Sequence, residues 1–182
     1  MTIDKPRLVL INFMSEPKII DNFLPKEVFN KISETIFSNH FPWMFSDEVS
    51  SGTDVQDKNV FQFFHVFYGN SPYCWVSKYS EIIFPLVHAL KTTALIRVKA
   101  NLLTVTQNIK QHNFHRDVSS INSKTAVYYV NTNNGKTRFE SGFEVESVAN
   151  RILIFNSNQL HAGTTCTDQS RRVVINVNFY DS

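Results

Sequence analysis

After Thr93 the chain becomes a succession of short β-type runs, and this half limits the fold more than any other feature. The runs cover residues 96–106, 125–131, 143–145, 151–155 and 173–180, with polar turns between them that include Asn133-Asn134-Gly135. Two helical patterns precede them. Helices followed by many short strands predict an α+β protein whose strand half closes into a sandwich or jelly roll. The last run is the most informative. Val173, Ile175, Val177 and Phe179 share one face, and Arg172, Val174, Asn176, Asn178 and Tyr180 share the other.

The first half reads less sharply. Residues 7–13 have strand character. Pro25 opens a helical pattern with Val28, Phe29, Ile32, Ile36 and Phe37 at helical spacing, and Pro42 lies beyond its end. Residues 46–58 are polar and aperiodic, which fits a lid beside a site and a plain surface loop equally. The aromatic stretch 61–68 reads as a strand or hairpin. Ser71-Pro72 reads as the cap and first position of a second helix. Its apolar face would be Tyr79, Ile82, Ile83, Leu86, Val87 and Leu90, with a kink at Pro85. The expected organisation is one domain over 1–182, with strand, helices and loop in 1–93 and the β core in 94–182.

Composition excludes several classes. Apolar residues make up 42% and charged residues 19%, so the chain is globular rather than disordered. No run approaches the roughly 18 apolar residues of a membrane span. The opening MTIDKPRLVL carries Asp4 and no long apolar core, which predicts no secretory signal. Cys74 and Cys166 cannot form a disulfide framework, and reduced thiols in the cytoplasm are expected. A net charge of +2 with mixed signs gives no dedicated nucleic-acid surface, so a nucleic-acid partner is not expected.

Of six histidines, His40, His65, His88 and His112 have no carboxylate at a useful spacing and read as core or surface residues. His115-Arg116-Asp117 puts an imidazole and a carboxylate on one face of an extended segment. Alone, the triplet equally fits an ion pair at a strand end. His161 follows the apolar run 151–155 after a short polar turn, where a third ligand would be expected. Two His and one carboxylate make the facial set that leaves open positions on Fe(II); zinc accepts the same three ligands. Arg172 opens the last strand on its polar face, where its rigid fork suits a carboxylate.

This order of residues resembles the iron(II)/2-oxoglutarate-dependent dioxygenases, and most closely their prolyl-hydroxylase-like branch with its compact phage members. The segments that carry the resemblance are AVYYVNTNNG at 126–135, RILIFNSNQLHAG at 151–163 and RRVVINVNFY at 171–180. The resemblance implies a double-stranded β-helix (jelly roll) with N-terminal helices against its major sheet. It implies His115, Asp117 and His161 as iron ligands. It places Arg172 on the far carboxylate of 2-oxoglutarate, with Tyr129 beside it. Thr137 stands where many relatives have an apolar residue, and Asn176 shares the face of Arg172. Paired Arg171-Arg172 leaves that assignment open by one residue. The implied activity is hydroxylation of a peptidyl proline or another peptide or small molecule, using Fe(II), 2-oxoglutarate and oxygen, in the cytoplasm of the cell or of a phage host. Two alternatives stay open, a cupin-like metal-binding jelly roll without 2-oxoglutarate chemistry and a structural jelly roll.

Overall fold

A computed structural model describes residues 16–47, 49, 61–70, 73–120 and 122–181. The strand expected at 7–13 and most of the loop at 46–58 lie outside the described residues. Eleven strands, two α-helices and one 3-10 turn are present among the described residues. In chain order they are β1 Lys18–Ile20, α1 Lys26–Phe37, β2 Met44–Ser46, β3 Gln62–Asn70 and β4 Tyr73–Trp75. The 3-10 turn Ser80–Ile82 and α2 Phe84–Ala89 follow. Then come β5 Ala94–Thr104, β6 Ser123–Tyr129, β7 Asn133–Phe139, β8 Glu144–Ser147, β9 Arg151–Asn156, β10 His161–Gly163 and β11 Arg171–Tyr180.

The strands form two antiparallel sheets, and the fold is a double-stranded β-helix of the α+β class. The major sheet runs β1-β9-β6-β11-β5-β3-β2, with β4 on β3, and the minor sheet runs β10-β7-β8. Bridges from Gln111 to Thr164 and from His115 to His161 carry the segment after β5 along the free edge of β10. At the centre, β11 pairs with β5 on one side and β6 on the other, opposing Asn178 to Arg97, Asn176 to Lys99 and Arg172 to Leu103.

Alternation decides what each face of the major sheet does. Val98, Ala100, Val173, Ile175, Val177 and Phe179 pack against Ile32 and Ile36 of α1 and Leu86 of α2. Each of these side chains larger than Ala100, fully buried, gains about 1.5–3 kcal/mol. The opposite face, with Val127, Tyr129, Leu153 and Val174, meets Phe139 and Val145 of the minor sheet in a second core. The polar site lies at the open end of that second layer.

Two local expectations are corrected. Ser71-Pro72, expected to open the second helix, lie outside the described residues, and Tyr73–Trp75, expected to be helical, instead pairs with Tyr68–Asn70 as a strand. The expected long helix is instead a 3-10 turn and a short α-helix, and Pro85 sits in the first turn of α2 rather than kinking a longer one. Proline is tolerated there because the N–H it lacks would have no intrahelical partner. The Asn133-Asn134-Gly135 turn is also displaced, since these residues begin β7, with an irregularity in the β7–β8 register between Asn133 and Lys136. Asn134 is pinned there from the β10–β11 connection, its N–H donating to Asp168 and its Nδ2 to Thr167 Oγ1. No helix among the described residues is long and apolar enough to cross a membrane.

Candidate metal centre

His115, Asp117 and His161 come together from two strand-like segments. The bridge between His115 and His161 fixes their separation, with backbone N–H groups donating in both directions at 2.9 and 3.0 Å. One ligand atom from each of the three side chains falls within 4.8 Å of the others. Nε2 of His115 lies 3.7 Å from Asp117 Oδ1, and Nε2 of His161 lies 3.8 Å from Oδ2. Those gaps are too long for hydrogen bonds. Donors about 2.1 Å from a shared ion sit at most about 4.2 Å apart, so both gaps fit a common metal.

Each ring is also oriented for the task. Nδ1 of His115 is 3.2 Å from the Asn113 carbonyl, and Nδ1 of His161 is 3.0 Å from the Gln159 carbonyl. A carbonyl oxygen only accepts, so each Nδ1 carries the proton and each Nε2 presents its lone pair inward. Burial pushes the His161 pKa down, against the pull of Asp117, and favours the neutral ring that a metal requires.

The Asp117 side chain is 4% exposed. Burial alone would lift its pKa, but His161, Arg97 and His115, with a hydrogen bond from Asn178, hold it below the usual value. Asn178 Nδ2 donates to Asp117 Oδ2 at 3.1 Å and to Thr125 Oγ1 at 2.9 Å, while its Oδ1 accepts from Arg97 Nε at 3.1 Å. The carboxylate is thus held from behind by β5 and β11, with its front facing the two imidazoles.

A cavity of about 320 Å3 opens from this cluster. At its inner end lies Arg172, 4% exposed. Its Nε donates to Ser147 Oγ at 2.8 Å and its Nη2 to Thr137 Oγ1 at 3.2 Å. Thr137 Oγ1 also accepts from the Tyr129 hydroxyl at 2.8 Å, so its own proton remains to be donated. No carboxylate pairs with Arg172 among the described residues, and burial lowers its pKa against weak opposition. Arg171 points elsewhere, its guanidinium over the Phe37 ring at 4.5 Å. Asn176 lines the cavity between the two ends.

The cavity contains residues that the sequence reading passed over. His112, read as a bystander, is buried and lines it. Arg97, Lys99 and Asn101 line it from alternate positions of β5. Their alternation was visible in the 96–106 run, but nothing there marked which face would look inward. Gly135, read from sequence only as part of a turn, has a role behind the cavity. A Cβ at this position would lie 2.6 Å from Arg172 Cδ and 2.9 Å from the Thr165 carbonyl, so glycine is what lets the β7 backbone pass beside Arg172.

Comparison with family models finds no match, and comparison with curated proteins finds none. Solved structures do match. A prolyl hydroxylase from Trichoplax adhaerens, in complex with a hypoxia inducible factor oxygen degradation domain peptide fragment, superposes with a TM-score of 0.64 at 14% identity, covering 91% of this chain and 83% of that one. A 2OG-Fe(II) oxygenase family oxidoreductase from Burkholderia pseudomallei gives 0.62 at 9% identity, covering 90% and 85%. The epimerase SnoN, in complex with Fe3+, alpha ketoglutarate and nogalamycin RO, gives 0.63 at 9% identity, covering 91% and 78%. At such identities the likeness is one of fold, and the fold is that of the 2OG-Fe(II) oxygenases.

Proposed function

We propose that this protein is an Fe(II)- and 2-oxoglutarate-dependent oxygenase. The observation that carries the reading is the pairing of two features in one cavity, a His-Asp-His cluster and a buried arginine without a carboxylate. The donor set of two imidazoles and one carboxylate suits Fe(II) with coordination positions left over. When bound, the metal supplies the oxygen chemistry that converts 2-oxoglutarate to succinate and CO2 and hydroxylates the substrate.

The chain's own side chains supply binding and orientation. Arg172 holds the far carboxylate of the cosubstrate with a charge-assisted fork, in a pocket dry enough to make that contact count. Thr137 donates its remaining proton to the same group, and Tyr129 fixes the Thr137 rotamer. Asn176 borders the cosubstrate along its length. Leu103, Val127 and Val174 line the cavity with apolar surface beside Arg172 and Asn176, where the chain of the cosubstrate would lie. Asn178 and Arg97 keep the Asp117 carboxylate turned towards the imidazoles.

The substrate is a peptide, with a peptidyl proline as one form, or a small molecule, and the reaction takes place in the cytoplasm. The Trichoplax adhaerens structure holds a peptide, which supports the first class. The test is turnover of 2-oxoglutarate by the purified protein. Slow succinate release that requires both Fe(II) and oxygen, and that His161→Ala abolishes, is the expected result. A metal-loaded protein that releases no succinate over a broad substrate panel contradicts the reading.

A further inference from the structure

The cavity holds more positive charge than this chemistry uses. Among the described residues Arg97, Lys99, Arg116 and Arg172 line it, against the single carboxylate of Asp117. Arg97 reaches that carboxylate and Asn178. Arg172 lies at the end assigned to the cosubstrate. Arg116 sits at the rim, its Nε donating to the Asn158 carbonyl at 2.8 Å. Lys99 is left over.

Lys99 projects from the cavity face of β5 two residues beyond Arg97, about 6.6–6.8 Å along the strand, and it opposes Asn176 on β11. Its Nζ lies over the Phe64 ring, 4.6 Å from the centroid, on the β3 side of the cavity and away from Thr137 and Ser147. No carboxylate or hydrogen-bond acceptor among the described residues reaches it. Burial, helped by Arg97 and opposed by Asp117, lowers its pKa to about 8, so it is still mostly charged at neutral pH. Beside it, Oδ1 of Asn101 and Oδ1 of Asn176 are buried without hydrogen-bond partners among the described residues. A half-buried ammonium between two amides with unused hydrogen-bonding capacity is costly for the free protein, because desolvated charge and unpaired polar atoms both penalise folding. An anion entering the cavity removes the cost of the charge, and either amide can turn its NH2 group towards it.

We infer that Lys99, flanked by Asn101 and Asn176, is the docking point for an anionic group on the substrate that is oxidised, a carboxylate or a phosphate. The word substrate rests on the proposed function; the anion site itself does not. The cavity then offers two separate anion contacts, Arg172 at its inner end for the far carboxylate of the cosubstrate and Lys99, midway along β5 and turned to the β3 side, for the substrate. Cationic substrates are excluded by the same surplus charge.

The test uses three probes of similar size, phenyl phosphate, phenylacetate and neutral phenylacetamide. Each is titrated calorimetrically into the protein loaded with Mn(II) and 2-oxoglutarate without oxygen, and into the metal-free protein. At least one anion is expected to bind about tenfold or more tightly than the amide, and the stronger of the two names the anion. Lys99→Met should weaken that binding about tenfold or more, a loss of roughly 1.4 kcal/mol, and Lys99→Arg should restore most of it. The 2-oxoglutarate affinity should stay within about twofold in both variants. Equal binding of phenylacetamide overturns the inference, as does no anion binding at about 10 mM or unchanged binding in Lys99→Met. A loss of 2-oxoglutarate affinity in Lys99→Met as large as in Arg172→Met also overturns it, because Lys99 would then belong to the cosubstrate. Anion binding through Lys99 in a protein that takes up no Mn(II) supports the site while contradicting the oxygenase reading.

Discussion

Asn178 steadies the Asp117 carboxylate from behind, donating to Oδ2 at 3.1 Å while its own carbonyl is fixed by Arg97. The amide is fully buried, and its second N–H is taken by Thr125. Both N–H groups and the carbonyl oxygen of this side chain therefore have protein partners, and the carboxylate has one preferred orientation. Residues that hold a ligand in this way are worth about 10–100-fold in metal affinity. Asn178→Ala should weaken Mn(II) binding within that range, as read by electron paramagnetic resonance. It should also cost about 1–3 kcal/mol of stability for the partners it leaves unpaired.

Arg172 and Arg171 are neighbours with separate environments, one in the cavity and one over Phe37. A charge-assisted contact in a sheltered pocket contributes about 1.5–3 kcal/mol. Arg172→Met should therefore weaken 2-oxoglutarate binding by roughly 10–150-fold, at about tenfold per 1.4 kcal/mol, with Mn(II) binding retained. Arg171→Met should leave both constants within about twofold. Calorimetric titration of the two variants side by side decides the matter.

Gly135 makes room for Arg172. An added methyl group meets the Arg172 side chain, the side-chain Oδ1 of Asn133 at 2.8 Å and the backbone oxygen of Thr165; the Asn133 amide is itself held by the Gly135 N–H and the Asn131 carbonyl, so the Arg172 side chain moves most readily. Gly135→Ala should cost about 1–3 kcal/mol in urea unfolding, the range for overpacking. It should also weaken 2-oxoglutarate binding, because the guanidinium is displaced. A variant with native stability and native affinity would show that the β7 backbone yields more easily than its contacts imply.

Lys99 sets a pH dependence. Its pKa is about 8 in the folded chain against 10.5 for the free side chain. Below pH 8 both the folded and the unfolded states hold the proton, and the cost of burying the charge is fully present. Between about pH 8 and 10.5 the unfolded state binds more protons, so this group's contribution to stability improves as pH rises. Lys99→Met should raise the unfolding free energy of the ligand-free protein at pH 7 by on the order of 1 kcal/mol. That advantage should shrink by pH 10, measured by urea unfolding at the two pH values.

Which parts of the molecule the sequence could indicate follows from their physics. The β half was readable because alternation along β11 sorts its side chains between a helix-covered face and a cavity. The polar partners of the site were not. Ser147 approaches Arg172 from 25 residues away, and Thr125 meets Asn178 from 53 residues away, so no local spacing relates them. Lys99 and Arg97 read as ordinary strand cations, because β5 becomes the floor of a cavity only when β11 and β3 flank it. The misplaced start of the second helix has a similar cause. Its apolar periodicity was real, but pairing of Tyr73–Trp75 with β3 overrode the local cap signal.

The central claim is that one cavity holds Fe(II) and 2-oxoglutarate together, and the direct measurement is visible absorption without oxygen. A keto acid bound to Fe(II) through its keto oxygen and near carboxylate gives a charge-transfer band that neither component gives alone. The wild-type protein should develop the band with one equivalent of each, and His161→Ala should not. Arg172→Met should show it only at roughly 10–150-fold higher 2-oxoglutarate, consistent with the lost contact. A folded wild-type protein that binds Fe(II) yet shows no band at saturating 2-oxoglutarate, or a His161→Ala variant with an undiminished band, would contradict the account.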